Sequence, residues 1–220
     1  MSTPDGFPVC LDDGWVASAV AAELPGLLLR TARVECVPGR SPDGLRHQLR
    51  LLSDRMNGAR AIKLRSDPVP QAYRICFRLV GLDPDVTLTP VEQAAKERLF
   101  YGDHRSRGLV SDALLLALVE TGVPVYAFDE AALAGPLGVR AARSGERLGA
   151  GEYADEVPPG RLVVADPEGV VGVLFGAPAP ERRVTATTRA VRLVAVGVAG
   201  VPRIHVEEAL FCCAEALRAG

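Results

Sequence analysis

Residues 111–129 read SDALLLALVETGVPVYAFD, and the apolar period changes inside this stretch. Up to Thr121 the run is rich in leucine and alanine and reads as a buried helix over 110–121. Gly122 and Pro124 stop it. VYAF (125–128) follows as a short strand run. The switch divides the chain. After it come LGVRAA (137–142), RLVVAD (161–166), VVGVLF (170–175) and AVRLVAVGV (190–198), separated by Gly and Pro turns. DPEG (166–169) reads as a hairpin turn.

Before the switch helices prevail. Residues 12–24 read as a helix stopped by Pro25-Gly26, and 27–36 as a strand. VPGRSPDG (37–44) is a loop whose Ser41 or Asp43 caps a helix near 44–57, with Leu45, Leu49, Leu52 and Met56 on one face. A helix over 69–80 buries Tyr73, Cys76, Phe77 and Val80, with Gly81 at its end. Thr89-Pro90-Val91-Glu92 carries an N-cap, a first-turn proline and a capping-box glutamate, opening a helix that runs to Tyr101. A final amphipathic helix covers 203–218. The alternation of a doubly wound sheet is absent, so the class is α+β: a mixed-sheet or β-sandwich core with flanking helices. One domain over 1–220 is expected, with 1–110 packed on the β-rich 111–220.

Composition narrows the partners. The 220 residues carry a net charge of −2, so any nucleic acid must be held by a local patch. The five cysteines show no CxxC or Cys/His ligand spacing, which argues against a metal site and for the reduced thiols of a cytoplasmic protein. MSTPDGF lacks the pattern of a signal peptide. The apolar stretch 184–201 is broken by Arg189, Arg192, Gly197 and Gly200, so no membrane span is expected.

Signatures of common chemistry are missing. There is no GxGxxG, Walker loop, GxSxG elbow or HExxH, and no cofactor is implied. His47, His104 and His205 are scattered. YGDHRSRG (101–108) puts His104, Arg105 and Arg107 in a loop that either holds a phosphate or RNA backbone, or is a solvated helix end. Asp112 reads as an acid stabilising its own helix N-terminus. Gly145-Glu146 closes a hairpin, with Glu146 exposed or paired to Arg143 or Arg147.

The order of SDALLLALVETGVPVYAFD, GVRAARSGERL (138–148), RLVVADPEGVVGVLFG (161–176) and TTRAVRLVAVGV (187–198) resembles the B3/B4 editing domain of the phenylalanyl-tRNA synthetase β chain, and more closely its free-standing relatives. The resemblance covers roughly 70–200. It implies an aminoacyl-tRNA ester hydrolase, with tRNA and an amino acid moiety as partners and no complete synthetase activity.

Residue by residue, Asp112, Pro124, Ala127, Phe128 and Asp129 match the family pattern. So do Val139, Arg140, Ala142, Gly145 and Glu146, taken as structural. Phe175-Gly176 matches the step lining the editing pocket. Three polar positions are lost: the family asparagine falls on Leu115, the pocket histidine on Tyr126, and the glutamate recognising the tyrosine hydroxyl on Val194. The implied pocket is therefore Tyr126, Phe175, Gly176 and Val194, more apolar than the family's. RNA contact is expected at Arg105, Arg107, Arg140 and Arg143, helped by Arg182 and Arg183, weak and salt-dependent, with no DNA partner. The rival reading is a non-catalytic protein holding an amino acid, a metabolite or a partner in the altered pocket. A partner-docking module using helix 203–218 ranks third.

Overall fold

The computed structural model describes residues 9–151 and 154–220. The reading of MSTPDGF lies outside them. The first strands are β1 (Leu11–Asp13), β2 (Trp15–Val16) and β3 (Leu28–Glu35), with α1 (Ser18–Glu23) between the last two. Four helices follow: α2 (Asp43–Arg55), α3 (Gly58–Leu64), α4 (Pro68–Leu79) and α5 (Pro90–Tyr101). Then come α6 (Leu109–Thr121), β4 (Val125–Asp129), β5 (Gly138–Ala141), β6 (Arg147–Leu148), β7 (Asp155–Glu156), β8 (Leu162–Ala165), β9 (Val170–Val173), β10 (Ala190–Gly197) and α7 (Arg203–Arg218). The class is α+β.

The strands form two four-stranded sheets, ordered β1-β3-β10-β4 and β2-β5-β8-β9, and a ribbon of β6 with β7. Strands from both sheets meet in one apolar core. Leu29, Phe128, Leu193 and Val194 of the first share it with Val139, Val164 and Val171 of the second. The sheets touch where Gly172 leaves room for the Phe128 ring, 3.6 Å from where a Cβ would stand. The central strand β10 runs antiparallel to β3 and β4, which places Val194 between Thr31 and Tyr126. Helix α7 buries Val206, Ala209, Leu210, Cys213, Ala214 and Leu217. It packs on α6, β3 and β10, so its apolar face is spent inside the fold.

Local chemistry explains most boundaries. The Thr89 N–H and hydroxyl both donate to the Glu92 carboxylate, at 3.1 and 2.7 Å, and Gly102 ends α5 in the left-handed region at φ 83°. Gly122 ends α6 likewise. Buried Glu92 is offset by Arg74 at 2.6 Å, which ties α4 to α5. At DPEG the Asp166 carboxylate accepts from the N–H groups of Glu168 and Gly169.

Two local expectations fail. Residues 12–24 are not one helix: 11–13 pair with β3 and 15–16 with β5, leaving six residues for α1. Distant partners override local propensity here. The Trp15 ring lies where a Gly138 side chain would stand, and its Nε1 donates to Pro136 O at 3.1 Å. Neither Ser41 nor Asp43 caps α2; Pro42 is the cap residue and makes no side-chain bond. Ser41 is buried and donates instead to Asp112, 71 residues away, at 2.6 Å.

Candidate functional site

A groove of about 410 Å³ opens between α5, α6, β4 and the turn after β9. Its walls include Pro90, Leu114, Leu115, Tyr126, Phe175 and Gly176, with Gln93 and Glu97 as polar groups at the rim. Gln93 donates to Glu97 at 2.9 Å. Three residues of the implied pocket thus meet on one surface. The fourth, Val194, does not line it. It faces the sandwich interior beside Tyr126, with no exposure at all. Its hydrophobic match there is a core requirement, and a carboxylate in its place would be buried among valines.

The turn at 173–177 sets the groove's far wall. Val173 N–H donates to Ala177 O at 3.1 Å and Gly176 N–H to Val173 O at 2.9 Å. Phe175 between them has φ 59°, the left-handed region that costs a residue with a Cβ about 1 kcal/mol or more. Its ring offsets this by packing on Phe77 at 5.0 Å and edge-on against Tyr73 at 6.1 Å. A side chain on Gly176 would meet Val173 at 3.0 Å, so packing inside the turn disfavours one there, beside any need of a ligand.

Tyr126 is half-buried, but its hydroxyl oxygen is sealed from solvent and has no hydrogen-bond partner of ordinary geometry. It points toward the Phe175 backbone without bonding well to it. Burial pushes the phenol far above its usual range. At neutral pH it can donate or accept a hydrogen bond but cannot serve as a base.

The family-type motif after Tyr126 is structural. Phe128 is in the core. Asp129 accepts from Ala131 N–H at 3.1 Å and from the Thr188 hydroxyl at 2.6 Å, fixing the chain on both sides of β4 and β10.

The arginines expected to meet RNA divide into two groups. Arg140 makes a bidentate pair with Glu146, both bonds at 2.6 Å, and Glu146 also accepts from Arg143 N–H at 2.7 Å. Glu146 is therefore paired to Arg140 rather than to the Arg143 or Arg147 side chains. The Arg140 bonds hold its carboxyl below the usual range. Arg182 is turned inward to Asp166 and Glu168. Arg105 and Arg107 are exposed at the corner between α5 and α6. Arg105 lies over the Tyr101 ring at 4.5 Å, and Arg107 reaches Glu97 at 3.1 Å. No ion pair among the described residues joins this corner to the hairpin.

Beneath the corner lies a smaller cavity of about 140 Å³, lined by Arg98, His104, Arg105, Arg107 and Ser111, with Asp112 at its floor. His104 is buried and its Nε2 is unpartnered. Burial and then Arg98 lower its pKa, which keeps the ring neutral. Asp112 is buried and accepts from Ser41 Oγ at 2.6 Å, Ser106 Oγ at 2.5 Å and Arg107 N–H at 2.8 Å. It ties two loops together and stands in the first turn of α6, where an acid stabilises the helix N-terminus. Its partners come from loops that no helical spacing reveals.

The helical side of the groove was also missed, though α6 carries one signal for it. Leu114, Leu115 and Leu116 are consecutive and cannot all face one core. Leu116 is buried, while the first two line the groove.

Among the described residues no group of three or more His, Cys, Asp or Glu is placed to hold a metal ion, and no helix is long and apolar enough to cross a membrane. The family model of the B3/4 domain matches residues 78–206, which take in the groove and the corner beside it. Several phenylalanine–tRNA ligase beta subunits are similar. That of Xanthomonas campestris pv. campestris strain 8004 is 37% identical over 128 residues, 56% of this chain and 15% of the relative. That of Xanthomonas euvesicatoria pv. vesicatoria strain 85-10 is 36% identical over 142 residues, 61% of this chain and 17% of the relative. That of Thermobifida fusca strain YX is 30% identical over 128 residues, 56% and 15%. The chain thus spans about 15% of the length of the curated relatives it matches.

Proposed function

Because this chain belongs to the B3/4 domain family and is related to phenylalanine–tRNA ligase beta subunits, we propose that it is an editing-type domain acting in trans on a mischarged aminoacyl-tRNA. The amino acid occupies the groove at Tyr126, Phe175 and Gly176. Water adds to the ester carbonyl carbon, the bond to the ribose oxygen breaks, and a free amino acid and a ribose hydroxyl result. The observation that carries the reading is the convergence of Leu115, Tyr126, Phe175 and Gly176 on one open groove. An aminoacyl ester is activated, so positioning and hydrogen bonding supply the main assistance. With leucines, two prolines and a phenylalanine on its walls, the groove favours an apolar side chain over a hydroxylated one. Incubating the protein with a panel of mischarged tRNAs tests this. Release of an apolar amino acid above blank is expected; no release from any tRNA sinks the hydrolytic form.

One observation favours a second reading, a binding protein without catalysis. Apolar residues stand at 115 and 194, and the Tyr126 hydroxyl is sealed and unpartnered. Free amino acids should then raise the melting temperature by mass action while tRNA does not. Stabilisation by tRNA alone counts against it.

A further inference from the structure

The corner at the end of α5 carries groups that neither the core nor the groove uses. Phe100 is 79% exposed and meets Tyr101 edge-on at 4.9 Å between ring centroids. On a soluble surface such an aromatic pair has no folding role, because its apolar area is not removed from water. Arg105 lies across the Tyr101 ring at 4.5 Å, leaving its donors free at the edge. Its nearest acid, Asp103, is 3.7 Å away and equally exposed. Behind this surface Arg98, Arg107, Ser111 and His104 line a cavity together with the acids Glu97, Asp103 and Asp112, and the His104 Nε2 is sealed and unpartnered. That cavity and the Tyr126 groove share a wall, formed by Ala94, Glu97 and Leu115.

We propose that Phe100, Tyr101 and Arg105 form a stacking platform for an unpaired RNA base, with a neighbouring phosphate drawn to the exposed Arg107. Aromatic faces accept any base, and cations at their edge track the backbone. A phosphate replaces Glu97 as the partner of Arg107. The shared wall lets one strand lie across the platform with its terminal ribose at the groove mouth. The inference rests on the proposed aminoacyl-tRNA reading for its choice of RNA, but it concerns binding alone.

The test is fluorescence anisotropy of the full chain with a labelled single-stranded RNA hexamer in about 50 mM salt, where phosphate contacts count most. Phe100→Ala should weaken binding about tenfold. Its high exposure keeps that change from disturbing the fold. The same strand in a duplex should bind no better than to the variant. A Phe100→Trp protein should show saturable quenching by the hexamer, a signal that a merely structural role would not produce. Equal affinity of wild type and Phe100→Ala overturns the platform. So does preference for duplex, or a change from dimer to monomer in Phe100→Ala with RNA affinity untouched, which makes the surface a protein contact. If the hexamer fails to bind while mischarged tRNA is hydrolysed, the platform falls and the hydrolytic reading stands. If the hexamer stacks while no tRNA is deacylated, the reverse holds.

Discussion

Two arginine-rich segments look alike in the sequence and differ in what the fold does with them. In GVRAARSGERL the first arginine, Arg140, meets a carboxylate six residues on, and the turn at Gly145 closes the pair into a hairpin. In YGDHRSRG the arginines follow a helix end, and the acid that organises the loop, Asp112, is occupied by hydroxyls and a backbone N–H. In the first segment Arg140 is satisfied internally, while the Arg143 side chain stays exposed. The second leaves cations and aromatics facing out. The number of arginines says nothing about this difference; the position of the acceptor decides it.

The strongest way to break the comparison is to remove what holds the exposed corner. Asp112→Ala leaves three donors without their acceptor in a buried place and should cost about 3 kcal/mol in urea unfolding. Amide exchange in 104–108 should rise with it. A loss below about 1 kcal/mol would mean that the loop does not depend on Asp112. The hairpin should respond less. Arg140→Ala strands a partly buried Glu146 and should cost about 1.5 kcal/mol, with RNA affinity unchanged. Weaker RNA binding in that variant would put the two segments on one surface after all.

The same pair predicts a pH response. The Glu146 carboxyl is held below its ordinary value of 4.5, so its contribution to stability is complete above that value. It is lost as the pH falls through the lowered value, because the unfolded chain takes up the proton first. Glu146→Gln should therefore flatten the fall of melting temperature below about pH 4.5. An unchanged acid limb would assign that limb to other carboxylates.

These contrasts also mark what the sequence could reveal. Helices α5 and α6 were legible because Thr89, Glu92, Gly102 and Gly122 act on their own neighbours. The β-rich half was legible from its period. Residues 11–16 were not, because their pairing partners lie on β3 and on β5 more than a hundred positions away. The groove was half legible. Period-two alternation on β10 places Val194 beside Tyr126, but whether it faces a cavity or the second sheet depends on what covers it. Nothing local announces that the Tyr126 hydroxyl lacks a partner.

That hydroxyl sharpens the comparison on the open side of the molecule. A buried hydroxyl without a partner is destabilising, so Tyr126→Phe should raise stability by about 1 kcal/mol. If the hydroxyl instead meets an ordered water, the substitution should be neutral or costly.

The smallest effect on folding belongs to Arg105, and that smallness carries the contrast with Arg140. Its guanidinium is exposed, and its acid neighbour is 3.7 Å away in solvent, so Arg105→Gln should change stability by less than about 0.5 kcal/mol. If the corner meets RNA, the same change should reduce the slope of log affinity against log salt by about one unit, the signature of one lost phosphate contact. Arg140→Gln should do the opposite: a measurable loss of stability and an unchanged salt slope. A chain that spends one arginine on its own glutamate has nothing left there for a phosphate. Equal salt slopes for the two variants would mean that internal pairing does not decide which arginines reach a ligand.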